Sequence, residues 1–477
     1  MRPLGQTPRE LMMLLLWCCA LGVALCLSGS AAQSGPEADL VTSLPGLAQN
    51  PSFRHYSGYV QAGQGKQFHY WFVESQNNPS TDPVMLWLNG GPGCSAMEGM
   101  LSENGPFHLR DDGTVYINPY SWNQVANVLY LESPAGVGFS YSTSGKYATS
   151  DPQVAEDNYE ALQNFFAKFP SFVSNDFYVF AESYGGIYGP TLAQKIVSNP
   201  GNINFKGMGI GNGMTSYALN DNSLLYFGYY HGLLADDLWN ELNQECCSGG
   251  SCNFYSNSNS NCQNSVNQAL YLIQDIGLNL YNLYEQCYGG APMNAGRYAA
   301  DLSNLFRDSG FTFKPQVSDQ PCSWKRRRRR RRKQISIHLC QYFPSLNLSH
   351  VLPLSHSTLL NDNYAFSHTV GALYQRTYKD MTWFYQVLLQ QNLKLLVYNG
   401  DVDMACNFLG GKWFVESLNQ QVVSQYQPWY YEDQIAGYVQ QYEKITFMTV
   451  KGSGHMVPQY RPGPALQMLK NYLANSY

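Results

Sequence analysis

Short apolar segments recur along the chain, and they constrain its fold more than any other feature of the sequence. Several are nearly unbroken apolar strings, which is typical of strands covered on both faces. Between them lie helix-like stretches such as residues 157–169, whose apolar side chains follow a period of about 3.6. Strands alternating with helices predict an α/β protein with a mostly parallel central sheet flanked by helices. The predicted strands are residues 68–75, 84–89, 126–132, 176–182, 205–210, 393–398 and 445–450.

The alternation stops near residue 214 and resumes after residue 358. This interval holds seven of the nine cysteines that follow the first 32 residues. We predict a cap inserted between two strands and stapled by disulfides, because so small a unit cannot rely on its own core. The predicted organisation is therefore a first core part (33–213), a cap insertion (214–358) and a second core part (359–477).

The amino terminus has the pattern of a secretory signal peptide. Arg2 and Arg9 precede an apolar run at 11–27, and small residues follow up to Ala32. We expect cleavage near Ala32, with a signal anchor as the alternative, because the run approaches the length that spans a bilayer. No other stretch is long enough, so we expect no membrane association after signal removal.

Charge and cysteine spacing argue against several kinds of ligand. The net charge is −5, and nine of the 29 cationic residues lie at 325–333, so there is no broad basic field for nucleic acid. The cysteines at 246, 247, 252 and 262 have no histidine at zinc-finger spacing, and in a secreted chain cysteines form disulfides first. We predict no metal and no cofactor.

The segment Ala181-Glu182-Ser183-Tyr184-Gly185 follows a predicted strand and precedes a possible helix. A nucleophile on a strained strand-to-helix turn needs small residues two positions to either side. Ala181 and Gly185 meet that need, so the pattern is A-x-S-x-G, one methyl group away from G-x-S-x-G. Taken alone this motif is also compatible with an ordinary glycine-rich turn.

A serine hydroxyl needs a base and a group that orients the base. Asp401 and Asp403 follow one predicted strand, and His455 follows another. The chain order Ser, Asp, His is that of the α/β-hydrolase fold, which we therefore predict, with an inserted disulfide-stapled cap. Spacing alone does not choose between the two aspartates.

Gly90 and Gly91 lie at the end of the predicted strand 84–89. Backbone N–H groups approach a developing oxyanion only where side chains are absent, and this pair supplies such an opening. A tight turn after a strand is the alternative interpretation. Together with Ser183, the two glycines predict half of an oxyanion hole.

These segments together resemble the serine carboxypeptidase family. The resemblance covers about residues 44–322 and 364–477. Six motifs in order carry it: WLNGGPGCS (87–95), ESPAGVGFSYS (132–142), ESYGGIYGP (182–190), YYHGLL (229–234), NGDVDMACN (399–407) and GHMVP (454–458).

The resemblance implies a role for each residue of the site. Ser183 would be the nucleophile, His455 the base and Asp403 the orienting carboxylate. The N–H groups of Gly91 and Tyr184 would be the oxyanion donors. The residues implied to bind the C-terminal carboxylate of a peptide are Asn89, Glu98 and Glu182.

Such a carboxylate site predicts a pH dependence. Two carboxyl groups close to a substrate carboxylate cannot all be ionised cheaply, so Glu98 and Glu182 are expected to share a proton. Peptides with a free C-terminus would then bind best at acidic pH. Esters and amides, which lack that charge, would be penalised less as the pH rises.

The resemblance also implies features of the cap and of the assembly. It implies disulfides Cys246–Cys262, Cys247–Cys252 and Cys287–Cys322, and a buried thiol at Cys406. It further implies a homodimer, maturation by cleavage in the cap, and association with β-galactosidase and sialidase. The implied location is the lysosome, reached by the secretory pathway, with secretion as the alternative.

Residues 323–363 depart from the family pattern. Seven consecutive arginines repel one another and do not pack. The segment is interpreted as a gene-model error, with a cleavable solvated loop and a polyanion-binding patch as alternatives. Cys340 in this segment is the one candidate partner for Cys94. Asn347, also here, begins the one glycosylation sequon of the chain.

The leading hypothesis for function is an acid-active serine carboxypeptidase that works through an acyl-enzyme and has additional esterase and deamidase activity. A non-catalytic stabilising partner of lysosomal hydrolases is one alternative. An acyltransferase that uses the same site is the other.

Overall fold

The computed structural model describes residues 36–110, 113–286 and 366–477, and its framework is one large twisted sheet. The central strands are parallel, whereas the pairs at both edges are antiparallel. The spatial order is β1 (His55–Gln61), β2 (Lys66–Val73), β6 (Asn127–Leu131), β3 (Val84–Leu88), β9 (Phe177–Glu182), β10 (Phe205–Gly211), β14 (Lys394–Gly400), β17 (Ile445–Val450), β16 (Gln434–Tyr442) and β15 (Val422–Tyr431).

Shorter strands complete the β structure. β7 (Tyr141–Ser142) pairs with β2 at its edge of the sheet. Three small ladders lie apart from the sheet: β4 (Phe107–Leu109) with β5 (Val115–Ile117), β8 (Thr149–Ser150) with β13 (Tyr374–Gln375), and β11 (Cys247–Ser248) with β12 (Ser251–Cys252).

Helices connect and cover the strands. In chain order they are α1 (Asp151–Lys168), α2 (Gly185–Ser198), α3 (Tyr217–Tyr230), α4 (Asp236–Cys246), α5 (Ser260–Leu270), α6 (His368–Leu373), α7 (Thr382–Leu389), α8 (Phe408–Ser417), α9 (Val457–Tyr460) and α10 (Pro462–Ala474). Short 3₁₀ turns occur at Pro36–Asp39, Trp122–Gln124 and Pro170–Phe172, and π-helical turns at Gly99–Glu103 and Tyr271–Asp275.

The central strands are buried along most or all of their length, as their apolar strings predict. All five residues of β3 and all six of β9 are buried. Successive side chains of a strand point to opposite faces of a sheet. Leu86 accordingly belongs to one apolar cluster and Trp87 to another, so each face of the sheet has its own core. The predicted mostly parallel α/β fold is confirmed.

A third apolar cluster lies among α3, α4 and α5, in the chain between β10 and β14. Leu224, Leu242 and Val266 are buried in it, and Met404 from the loop after β14 joins them. The cap helices therefore pack against a loop of the core. No helix in the described part of the chain is long and apolar enough to cross a bilayer.

The order of the central strands determines where the candidate site residues meet. β9, β10, β14 and β17 are consecutive neighbours and run parallel, so their carboxyl ends lie at one edge of the sheet. Ser183 follows β9, Asp403 follows β14 and His455 follows β17. Residues far apart in the chain are thus brought to the same edge.

Candidate active site

Ser183 occupies a sharp turn between β9 and α2. Its φ angle is +63°, a left-handed conformation that costs a non-glycine residue about 1–3 kcal/mol. The turn is crowded: a Cβ atom at Gly185 would lie 2.6 Å from the Cβ of Ala181. Small residues are therefore required on both sides of Ser183, which accounts for the A-x-S-x-G pattern.

Asp403 is the aspartate that meets His455. Its Oδ2 atom lies 2.8 Å from Nδ1 of His455, and both side chains are buried. Asp401 instead accepts a hydrogen bond of 2.6 Å from the N–H of Gly452. Spacing in the sequence did not distinguish Asp401 from Asp403, and the directions of the two side chains do.

The Asp403 carboxylate is held by further donors. Oδ2 also accepts from Nδ2 of Asn212 at 2.8 Å and from the N–H of Cys406 at 3.1 Å, and Oδ1 accepts from the N–H of Ala405 at 3.0 Å. Asn212 is fully buried, with a φ angle of +40°. The preceding residue, Gly211, accepts the N–H of Ser183 at 3.1 Å. The end of β10 therefore joins the serine turn to the aspartate.

His455 is held from its other side by the cap. Its N–H donates to the carbonyl of Tyr281 at 2.7 Å, and the Tyr281 ring stands edge-on to the imidazole at 5.0 Å between centroids. Nε2 of His455 is buried and makes no hydrogen bond within the described residues. The expected bond to Ser183 is thus not formed here. Catalytic hydrogen bonds are often long in free enzymes and tighten when substrate binds.

The glycine loop after β3 packs directly against the serine turn. A Cβ atom at Gly90 would lie 2.8 Å from the Cβ of Ser183 and would also collide with the backbone nitrogen of Tyr184. Gly91 has a φ angle of +108°, which favours glycine. Tyr184 is the N-cap residue of α2, where backbone N–H groups have no partner within the helix. The predicted oxyanion donors therefore come from two adjacent segments.

A buried polar network supports this loop. Ser95 donates to Glu132, whose Oε2 lies 3.0 Å from Nδ1 of His69 and accepts the N–H of Phe139 at 2.8 Å. Nε2 of His69 lies 2.9 Å from Oγ of Ser57. A satisfied buried network of this kind specifies one geometry. Sequence reasoning missed it, because its members come from four separate segments.

The carboxyl group that pairs with Glu182 belongs to Glu103. Glu103 and Glu182 are hydrogen-bonded to each other, and Oε1 of Glu103 accepts Nδ2 of Asn89 at 2.9 Å. Both glutamates are buried, and burial raises the pKa of each. After burial, the charge of Glu103 further raises the pKa of Glu182, whereas the interactions with Glu182 and Asn89 partly lower that of Glu103.

The assignment of Glu98 to this pair needs correction. Glu98 is half-buried, and its charge contributes to the raised pKa of Glu182, but the hydrogen bonds to Asn89 and Glu182 are made by Glu103. The physical reason is the π-helical turn Gly99–Glu103, which places the carboxyl group of its last residue, Glu103, against Asn89. The sequence offers no clear signal for a π turn.

The cap contains two of the implied disulfides. Cys246 bonds Cys262, and Cys247 bonds Cys252. Cys406 is a buried thiol whose pKa is raised by burial. The implied pair Cys287–Cys322, the sequon at Asn347 and the signal segment 1–32 lie outside the described residues. In the part of the chain that the structure covers, no group of three His, Cys, Asp or Glu side chains is arranged to hold a metal ion.

A strained serine at a strand end, a buried Asp-His pair and two glycine-flanked N–H groups define a serine hydrolase of the α/β-hydrolase fold. A family model described as serine carboxypeptidase matches residues 45–475. The chain belongs to the serine carboxypeptidase family.

Individual relatives agree with that membership. The chain is 44% identical to the lysosomal protective protein of Mus musculus, covering 98% of each chain. It is 38% identical to a serine carboxypeptidase of Caenorhabditis elegans, covering 93% of this chain and 94% of the other. Among solved structures, a prohormone-processing carboxypeptidase from Saccharomyces cerevisiae has the same fold, with a TM-score of 0.69 at 21% identity over 93% and 97% of the two chains. The family model and the two relatives support carboxypeptidase activity and not the two alternatives.

Proposed function

We propose that this carboxypeptidase removes the C-terminal residue of peptides at acidic pH, through an acyl-enzyme on Ser183. The observation that carries the proposal is the buried Glu103–Glu182 pair directly beside the nucleophile. A hydrolase of internal peptide bonds has no use for two buried carboxyl groups at that place. A site that binds a substrate carboxylate can use two such carboxyl groups, provided that the pair keeps a proton.

The mechanism assigns one task to each group. Ser183 Oγ attacks the carbonyl carbon of the last peptide bond, and its proton passes to Nε2 of His455 and then to the leaving amine. Asp403 accepts the Nδ1–H of His455 and so holds the tautomer that leaves Nε2 able to accept. Water then attacks the acyl-enzyme ester, and His455 again removes the proton.

The N–H groups of Gly91 and Tyr184 stabilise the negative oxygen of each tetrahedral intermediate. A donor of this kind typically lowers the barrier by about 3–4 kcal/mol. Asn89, Glu103 and Glu182 bind the C-terminal carboxylate of the peptide. Their position sets the scissile bond over Ser183, so that only the last residue is released.

The pH dependence of two substrates tests this proposal. We expect kcat/KM for a peptide with a free C-terminus, divided by that for the matching C-terminal amide, to fall at least about tenfold between about pH 5 and about pH 7.5. As the pH rises through the raised pKa of the pair, the pair loses its proton and repels the substrate carboxylate. Effects of pH on the catalytic steps that both substrates share cancel in the ratio. A ratio that does not change with pH would contradict the proposal.

Alanine variants distinguish the proposed role of Glu103 from that of Glu98. Glu103→Ala removes a hydrogen-bonding carboxyl group, so KM for the free-acid peptide is expected to rise about 10- to 100-fold, with KM for the amide within about threefold. Glu98→Ala is the matched control and is expected to change neither KM by more than about threefold. Thermal melting and fluorophosphonate labelling of Ser183 report whether each variant is folded. If Glu98→Ala raises KM for the free-acid peptide and Glu103→Ala does not, Glu98 is the residue that binds the substrate carboxylate.

Cellular context follows from the relatives and not from the geometry. The 44% identity to the mouse lysosomal protective protein supports action in the lysosome, with peptides as substrates. Homodimer formation and association with β-galactosidase and sialidase stay predictions of the family resemblance. Sedimentation of the purified chain, alone and with each partner, measures both.

A further inference from the structure

The side chain of Asp151, the first residue of α1, lies in the interior and accepts four hydrogen bonds. Its Oδ1 atom accepts from the hydroxyl of Tyr184 and from that of Tyr374, each at 2.8 Å. Its Oδ2 atom accepts from the N–H of Thr377 at 2.6 Å and from that of Tyr378 at 2.9 Å. Asp151 is 1% exposed. One carboxylate thus joins the residue after the nucleophile to the segment 374–378.

Hydrogen bonds alone satisfy this carboxylate. No ion pair among the described residues includes Asp151. A buried anion is tolerated only when donors surround it, and four donors achieve that here. Burial, followed by the charge of Asp151, raises the pKa of the Tyr184 hydroxyl far above its ordinary value, so this group stays protonated and donates. The Tyr184 hydroxyl is therefore a constant donor to this contact.

The Tyr184 ring is enclosed on several sides. Tyr188 and Tyr374 stand edge-on to it, at 5.3 and 5.6 Å between centroids, and the guanidinium of Arg376 lies 5.7 Å from its centre. Asp151 supplies the polar end of this enclosure. Fixing the ring fixes the backbone N–H of the same residue, which is one half of the proposed oxyanion hole.

Residues 374–378, which bind Asp151, continue a stretch that also contacts the second half of the proposed oxyanion hole. Ser367 donates its N–H to the carbonyl of Gly93 at 2.9 Å, and Phe366 forms an isolated β-bridge with Cys94. Gly93 and Cys94 belong to the loop that carries Gly91. One stretch, residues 366–378, therefore touches the Gly91 loop at its beginning and the carboxylate that holds Tyr184 at its end.

We infer that Asp151 is a positioning residue for the oxyanion hole. It holds the Tyr184 N–H and, through residues 366–378, keeps the two halves of the hole at a constant separation. This inference rests on the proposed role of Ser183 as nucleophile. Asp151 itself touches no substrate and acts through Tyr184.

Tyrosine variants test the inference, because replacing Asp151 would leave several buried donors unsatisfied and destabilise the fold. Tyr184→Phe removes one hydroxyl and keeps the backbone N–H. We expect kcat to fall about tenfold with KM within about twofold, because misplaced donors lose transition-state binding only. The affinity of a peptide aldehyde, whose tetrahedral adduct places its oxygen in the hole, is expected to weaken by the same factor.

Tyr374→Phe is the matched control. It removes the other hydroxyl from the same Oδ1 atom. It leaves the Tyr184 bond intact, and the N–H groups of Thr377 and Tyr378 still tie residues 366–378 to Asp151, so kcat is expected to stay within about twofold of wild type. Equal losses of kcat in both variants, or no loss in Tyr184→Phe, would overturn the positioning role. A loss confined to KM would do the same.

An uncharged ester substrate separates this inference from the proposed function. If the wild type cleaves the ester but not a free-acid peptide, the carboxypeptidase proposal fails, while the effect of Tyr184→Phe on ester turnover still decides the role of Asp151. Wild-type protein in which a fluorophosphonate does not label Ser183 would overturn both.

Discussion

Replacing Ser183 by alanine is expected to reduce kcat about 10⁶-fold, the typical effect of removing the nucleophile from such a triad. The reason is that the Ser183 hydroxyl is the proposed attacking group, and the other hydroxyl of the turn, that of Tyr184, is bound to Asp151. The measurement is turnover of a free-acid peptide and of an ester, with active-site labelling by a fluorophosphonate. Labelling is expected to disappear together with activity.

Ser453→Ala is the control for this substitution. Ser453 is fully buried in the loop that carries His455, and its hydroxyl makes a 3.2 Å hydrogen bond to the carbonyl of Gly454. Removing it is expected to keep kcat within about threefold, because one weak neutral hydrogen bond is lost. If Ser183→Ala retains turnover close to wild type, Ser183 is not the nucleophile.

Replacing Asp403 by asparagine is expected to lower kcat about 10⁴-fold with little change in KM. The amide cannot hold the tautomer in which Nδ1 of His455 carries the proton, so Nε2 no longer accepts the serine proton. Pre-steady-state acylation measured with an ester substrate reports this step directly. We expect the loss to appear in acylation and not in substrate binding.

Asp401→Asn provides the matched control, since it makes the same chemical change two residues away. The side-chain oxygen of asparagine can still accept the N–H of Gly452, so kcat is expected to stay within about threefold. A comparable loss of kcat in both variants would mean that charge near the site matters and the specific Asp403–His455 contact does not.

Strands that form nearly unbroken apolar runs were predictable, and strands without such a run, including the mostly buried β1, were not. The segments that become β3, β9, β10, β14 and β17 are apolar enough to be recognised, because each is covered by helices on two sides. The hairpin of β15 and β16 was missed. Its residues include several glutamines and exposed tyrosines, such as Tyr430 at 57% and Tyr438 at 41% exposure, so no apolar run marks it.

The residues of the candidate site also differ in how well the sequence predicted them. Ser183 and His455 were identifiable, because a nucleophile turn and a histidine after a strand leave local patterns. Glu98 was predicted as the partner of Glu182, whereas Glu103, five residues later, occupies that place, because the intervening π-helical turn has no local sequence signature. Asn212 and Asp151 were not predicted at all, since their partners are distant in the chain.

Residue order and periodicity were enough to predict the class of fold, the chain order of the candidate catalytic groups and their placement at strand ends. Periodicity and chain order encode these properties, because they depend on which residues must be buried. Three contacts became visible only in the folded chain: Asp403 with His455, Glu103 with Glu182, and Asp151 with Tyr184. Each of these contacts joins loops from different strands, and the direction of a side chain within such a loop depends on packing against residues far away in the chain.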